Sequence, residues 1–309
     1  MKQCVNDGAT PLAVLRGVRK RYGKTQALDG LDFSIARGEI VALLGPNGAG
    51  KSTALGLLCG RLSADEGEVA LLGGDPRDWR TRQRLGVMLQ EARLPEQLGV
   101  REYLQLFASH YPNPRALDEV LALCGLEALA ARRYRALSGG EQRRLQFALA
   151  IVGRPALLLV DEPTVGLDVE ARRLFWALID SLREEGVAMV LTTHYLEEAD
   201  ALADRIVLLD QGRVRAAGTP AQIKALASGK RLRFRSALPI DQIADLPGID
   251  AAVVEQGVVC ARSQAPEAAL RILLQRDPDL SELEVLPLRL DEAFVALTTR
   301  NPSSLKEAA

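Results

Sequence analysis

Long apolar runs are missing from this chain. No stretch approaches about eighteen consecutive apolar residues, so no segment is built to span a bilayer as a helix. The start, Met1 to Asp7, holds no apolar core of the kind a secretory leader needs, and export of the chain is not expected. Cysteine is scarce: Cys4, Cys59, Cys124 and Cys260 are scattered without metal-ligand spacing and read as reduced cytosolic thiols rather than disulfides or a zinc site. Charge of one sign is lacking too. Lys and Arg number 39 against 40 Asp and Glu, a formal net charge of −1, which is not the basic bias of a nucleic-acid binder. What is present is 309 residues with 48% hydrophobic content, enough for a packed core in one or two domains.

The chain is organised around Gly45-Pro46-Asn47-Gly48-Ala49-Gly50-Lys51-Ser52-Thr53. Glu39 to Leu44 before it is short, apolar and bounded by Gly38 and Gly45, so it reads as a buried strand. Ser52 to Leu58 reads as the first turns of a helix. Strand, glycine loop, then Gly-Lys-Ser opening a helix is the P-loop context. The glycines let consecutive backbone N–H groups turn inward and form an anion nest at a helix N-terminus. Lys51 adds a point charge for β- and γ-phosphates, and the Ser52 hydroxyl offers Mg²⁺ a hard oxygen. A glycine turn that happens to precede a lysine is the bland alternative; the complete pattern favours a nucleotide-phosphate site.

Leu12 to Lys20 mixes apolar and polar residues and reads as an edge strand ending at Tyr22, a ring that either packs there or stacks on adenine. Leu31 to Ile35 alternates as a half-buried strand, Gly67 to Gly74 reads as strand and turn, and Gly86 to Met88 leads a short apolar run ending in Gln90. From Leu98 to Arg135 apolar residues recur at helical spacing, an all-helical insertion inside an α/β domain; His110 within it reads as structural. Ala136 to Gln142 then opens a helix that runs to Ile151. Ser138 with Glu141 makes a capping box, or Ser138 with Gly139 and Gly140 makes a second anion-binding helix end; spacing leaves both open.

Ala156 to Val160 reads as a buried strand that ends in Asp161-Glu162, and unpaired charge is costly near a core. Beside a P-loop the usual reason is a Walker B site, with Asp161 ordering the waters around Mg²⁺ and Glu162 polarising an attacking water. Gly166-Leu167-Asp168 turns into a helix over Val169 to Glu184, and the plain reading of Asp168 is a cap for it. Val187 to Thr193 is another buried strand, ending in His194; a histidine there is more often structural than catalytic. Arg205 to Val214 reads as a hairpin, and Thr219 to Ile223 starts a helix with Pro220 just inside it.

From Leu12 to about Ser228 these residues together resemble the nucleotide-binding subunit of an ABC transporter. Tyr22 matches the A-loop aromatic, Gly45 to Ser52 Walker A, Gln90 the Q-loop, and Leu137-Ser138-Gly139-Gly140-Glu141-Gln142 the signature. Leu157 to Asp161 with Glu162 matches Walker B, Gly166 to Asp168 the D-loop, and His194 the switch histidine. The resemblance implies a P-loop NTPase α/β core over residues 1–228, with an antiparallel β edge and an inserted helical subdomain at about 91–150. It implies ATP and Mg²⁺ as cofactors. Tyr22 and Gly45 to Thr53 would bind ATP, Ser52, Gln90 and Asp161 would surround Mg²⁺, and Glu162, Gln90 and His194 would act in hydrolysis. Leu137, Ser138, Gly139, Gly140, Gln142 and Asp168 would meet the ATP of a second copy, in a head-to-tail dimer with two nucleotides sandwiched between the halves. A separate transmembrane permease would face Glu91 to about Tyr103, placing the chain in the cytoplasm on the inner face of the membrane.

The tail over residues 229–300 lies outside the minimal ATPase. Its periodicities predict strand Arg231–Ser236, helix Pro239–Leu246, strands Ala251–Glu255 and Val258–Arg262, helix Pro266–Arg276, strand Leu283–Leu286 and helix Asp291–Thr298. That order resembles a small ferredoxin-like α+β domain. Asp291 to Leu297 resembles the closing helix of subunits that serve drug and antibiotic exporters, while a purely structural or dimerising appendage is the plainer reading. Asn301 to Ala309 is polar and reads as a disordered tail. The function expected is ATP hydrolysis driving export of a drug-like, lipid or other small substrate. A soluble ABC ATPase powering a remodelling task is the alternative. It is disfavoured because a ribosome-acting protein would carry two signatures, and a chromosome-maintenance ATPase would place long heptad repeats between Lys51 and Leu137.

Overall fold

The computed structural model describes residues 10–90, 94–227 and 229–299, and the chain divides between Ala217 and Gly218 into two compact units. In the first, β1 (Ala13–Tyr22) lies between β2 (Thr25–Ile35) and β4 (Glu66–Leu71) in a three-stranded antiparallel sheet. The mixed sequence of β1 predicts an edge strand; it is the central one. Its polar positions are satisfied across the sheet instead of by solvent. Arg16 pairs with Glu68 at 2.9 Å, and Arg19 pairs with Glu66 at 2.7 Å and Asp29 at 3.3 Å. Ala13, Leu15 and Val18 turn the other way, into the core.

The main sheet has six strands in the order β5 (Leu85–Met88), β6 (Leu157–Asp161), β7 (Ala188–Thr192), β3 (Ile40–Leu44), β8 (Arg205–Asp210) and β9 (Arg213–Gly218). The first five are mutually parallel. β3, β6 and β7 are buried at every position, as strands covered on both faces must be, which explains their continuous apolar runs. On one face Val41, Leu43, Leu159, Val190 and Val207 pack with α1 (Lys51–Leu58) and the antiparallel sheet.

A short helix, α2 (Trp79–Arg82), precedes β5. Between β5 and β6 run α3 (Val100–Ala108), α4 (Leu117–Leu123) and α5 (Gly139–Ile151), the all-helical segment expected from the spacing; α6 (Val169–Glu184) and α7 (Leu196–Leu202) follow β6 and β7. Buried Arg115 pins this segment to the sheet domain, pairing with Glu119 at 2.7 Å and with Glu185 after α6. Phe147 of α5 meets Phe175 of α6 edge to face, ring centroids 4.6 Å apart.

The second unit contains α8 (Pro220–Leu226), β10 (Lys230–Arg235), α9 (Ile240–Ala244), β11 (Ile249–Glu255), β12 (Val258–Ser263), α10 (Pro266–Arg276), β13 (Ser281–Pro287) and α11 (Leu290–Thr299). Its strands form an antiparallel sheet in the order β11-β12-β10-β13. Leu232, Phe234, Val259 and Ala261 alternate inward against Ile243 and Leu273 of its helices. Met1 to Asp7, the tail from Asn301, and Glu91 at the start of the surface expected to face a permease lie outside the described residues. Among the described residues no helix is long and apolar enough to cross a membrane.

Truncating Phe147 to alanine removes the ring that joins α5 to α6. Denaturant melts should show a loss of about 3–5 kcal/mol.

Candidate functional site

The glycine loop leaves β3 at Gly45 and re-enters helix at Lys51. Two of its glycines are dictated by geometry. Gly45 has φ 156° and a Cβ there would lie 2.3 Å from the Leu209 carbonyl oxygen; Gly50, at φ 104°, would put a Cβ 2.6 Å from that of Ala27. The loop is therefore threaded tightly past neighbouring backbone, while Pro46, Asn47, Gly48 and Ser52 face outward and Ala49 is buried. Lys51 folds back over the loop, its Nζ donating to the carbonyl oxygens of Gly45 at 2.6 Å and Pro46 at 3.1 Å. Burial pulls its ammonium pKa down, and the carboxylates of Glu162 and Asp161 oppose that shift.

Those carboxylates end β6. Asp161 is buried and accepts a hydrogen bond from the Thr192 hydroxyl at the end of β7. Glu162 follows with φ 47°, a left-handed backbone that a non-glycine residue adopts at a cost of about 1–3 kcal/mol. Its N–H is held by Thr192, at 3.1 Å from both the hydroxyl and the carbonyl oxygen. Its carboxylate Oε2 accepts from Gln90 Nε2 at 2.9 Å and lies 3.4 Å from His194 Nδ1. Gln90, Glu162 and His194, separated widely in sequence, thus meet at one oxygen.

The remaining candidates make local bonds. Ser138 caps α5: its hydroxyl accepts from the Glu141 N–H at 3.3 Å while Glu141 Oε2 accepts from the Ser138 N–H at 2.7 Å. Ser138 and Gly139 are exposed at the helix end. Gln142 donates to the carbonyl oxygen of buried Leu137 at 3.1 Å, and a Cβ on Gly140 would touch Leu167 at 3.5 Å. Asp168 caps α6 by accepting from Ala171 N–H at 2.8 Å. Tyr22 is 46% exposed at the end of β1, with Lys20 Nζ 5.8 Å from its ring centroid.

Thr192 and Arg143 are absent from the sequence-based set, yet both touch the end of β6. Arg143, 9% exposed, donates to the backbone carbonyls of Leu89, Gln90, Asp161 and Glu162. Its signal was its place four residues before Phe147 on the buried face of α5, where a cation requires acceptors. The signal for Thr192 is a hydroxyl at the end of an otherwise apolar strand. Ser52, Gln90 and Asp161 supply hard oxygens with a single carboxylate. That set suits Mg²⁺, which keeps waters and shares its coordination with phosphates; among the described residues no group of three or more His, Cys, Asp or Glu is placed to hold a metal ion by itself.

Glu198 on α7 is wholly buried, and accepts from Trp176 Nε1 at 3.2 Å. Burial raises its carboxyl pKa above the ordinary 4.5. The folded state therefore keeps a proton that the unfolded chain releases, so this group's contribution to stability falls as pH rises from 4.5 through the raised value. Glu198→Gln removes that slope: melts from pH 4.5 to 8 should show the parent losing more Tm than the variant.

The sequence match to the family described as "ABC transporter" spans residues 28–165. A daunorubicin resistance ATP-binding protein, DrrA3, of Streptomyces coeruleorubidus is 37% identical, covering 95% of this chain and 97% of its own. A Nod factor export ATP-binding protein I of Ralstonia nicotianae is 41% identical over 70% of each. An ATP-binding subunit of an ABC transporter superposes with TM-score 0.65 at 29% identity, over 70% of this chain and 92% of that one. A dimeric ATP-binding cassette in a post-hydrolysis state with ADP and Pi superposes with TM-score 0.61 at 27% identity, over 67% and 98%. A P-loop, a signature helix end and a carboxylate pair on one α/β scaffold, together with a relative matched along nearly its whole length, place this chain in the ABC transporter family as an ATP-binding protein.

Proposed function

We propose that this chain hydrolyses ATP as one half of a two-copy motor that drives an exporter, through a separate membrane permease. The observation that carries the proposal is the convergence of Gln90 and His194 on the Glu162 carboxylate, close enough to Lys51 for that carboxylate to act on its ammonium. In this reading the backbone nest of Gly45 to Gly50 and Lys51 hold the triphosphate, and Tyr22 stacks on adenine. Ser52, Gln90 and Asp161 would hold Mg²⁺, which would supply neutralisation of phosphate charge. Glu162 accepts a proton from the attacking water, and His194 contacts the γ-phosphate. The tight backbone around Glu162 keeps its carboxylate aimed before substrate arrives, which lowers the reorganisation needed in the transition state.

The signature corner satisfies its own hydrogen bonds locally, and in this reading a two-fold partner supplies the geometry that lets it work. Leu137, Ser138, Gly139, Gly140, Gln142 and Asp168 then face the ATP held by the second copy. ATP glues the halves, and loss of the γ-phosphate releases them. The relatives' names support export: one is a drug resistance ATP-binding protein and another a Nod factor export protein. The first also spans the second unit of this chain, which favours the drug-exporter branch. The permease places the chain in the cytoplasm on the inner membrane face, and ATP hydrolysis is coupled there to translocation of a drug-like, lipid or other small substrate.

Glu162→Gln should lower kcat by about 10²- to 10⁴-fold while mant-ATP, a fluorescent analogue, still binds. Phosphate release at the parental rate would refute the assignment of the base. Ser138→Arg, placed in the Glu162→Gln background, should bind ATP as a monomer; a dimer on size exclusion with ATP would remove the sandwich.

A further inference from the structure

We propose that Arg143 is a positioning residue for hydrolysis: its guanidinium fixes the backbone of Gln90 and Glu162 to the helix that begins at Ser138, so that engagement of that corner and alignment of the Glu162 carboxylate become one event. The proposal rests on the two-copy reading above.

The contacts are specific to a guanidinium. Nη1 donates to the carbonyl oxygens of Leu89 at 3.1 Å and Gln90 at 3.0 Å, and to Gln146 Oε1 at 3.0 Å. Nη2 donates to the carbonyl oxygens of Glu162 at 2.6 Å and Asp161 at 3.4 Å. One planar fork therefore spans the ends of β5 and β6, a reach that a lysine ammonium cannot reproduce. The side chains of Gln90 and Glu162 remain free for each other, because Arg143 holds only their backbone.

Glu162 is the residue with something to lose. Thr192 grips the peptide on its N-terminal side and Arg143 the carbonyl on its C-terminal side, and between them the backbone stays left-handed at φ 47°. A strained conformation persists only while its surroundings over-determine it. Without Arg143 one of the two grips is gone, and the carboxylate can swing away from Gln90 and His194. Arg143 lies about 7.5 Å along the helix axis from Ser138, the N-cap of the same helix. A force on the helix end is thus delivered to the carbonyl of Glu162 without an intervening loop. Burial lowers the guanidinium pKa, and the carboxylates of Asp161 and Glu162 oppose that shift.

The test uses the full chain with Arg143→Met and Arg143→Lys. Arg143→Met should lower kcat on the order of 10²-fold with KM for ATP and mant-ATP affinity little changed, the pattern of a lost transition-state alignment. Arg143→Lys should recover part of that loss at parental Tm. The double variant Glu162→Gln/Arg143→Met should still dimerise with ATP. Parental kcat in Arg143→Lys and Arg143→Met overturns the proposal, as does a loss of mant-ATP affinity and Tm in step with kcat, which would mark a cross-link of the fold alone. If Glu162→Gln by itself fails to dimerise, the sandwich falls and this proposal with it; if it dimerises while both Arg143 variants turn over normally, only Arg143 is struck.

Discussion

Parallel strand polarity is the constraint on which the site depends. β5, β6, β7, β3 and β8 run the same way, so their C-terminal ends open onto one edge of the sheet. Gln90, Asp161, Glu162, His194 and the glycine loop each follow one of those ends. The strand order adds a second condition. β7 separates the carboxylate strand from the loop strand, and register aligns Thr192 with Asp161 on one side and Leu43 on the other. One strand lies between the carboxylate strand and the strand that leads to Lys51, and the carboxylates are near enough to act on its charge.

The cations at this edge are held mainly by backbone carbonyls, and the carboxylates by neutral hydroxyl and amide donors and by His194. Lys51 donates to its own loop, Arg143 to four strand-end carbonyls, and Asp161 is met by a threonine hydroxyl. Ion pairs between side chains would compete with a charged substrate for the same groups. Backbone acceptors do not, since they neutralise little while still satisfying each donor in a low-dielectric site. The left-handed Glu162 is the same arrangement seen from the acid: its peptide is clamped so that its carboxylate is free to be aimed.

The signature corner obeys a different logic. Its own capping box and the Gln142 bond to Leu137 make the loop a finished local structure, which holds its exposed end in shape before anything binds there. A pre-shaped helix end lowers the ordering cost of meeting an anion presented by another molecule. In the two-copy reading proposed above, such an end would let a site split between the copies assemble and then release when the anion is lost.

The motifs were legible because they are local. A P-loop, a capping box or an apolar strand ending in two acids is encoded in fewer than about ten neighbouring residues, and backbone sterics and period make each readable. The same holds for the second unit, where Leu232 and Phe234 alternate inward along β10 as the pattern requires. What tertiary structure decided is pairing. β1 lies between two strands although its composition suggests an edge, because Arg16 and Arg19 find acids on partners far along the chain. Arg143 and Thr192 belong to the site only because α5 and β7 pack beside β6. The sequence by itself determined which chemistry is carried; the packing of distant segments determined which backbone atoms hold it in place, since a hydrogen bond across tens of residues leaves no period to read.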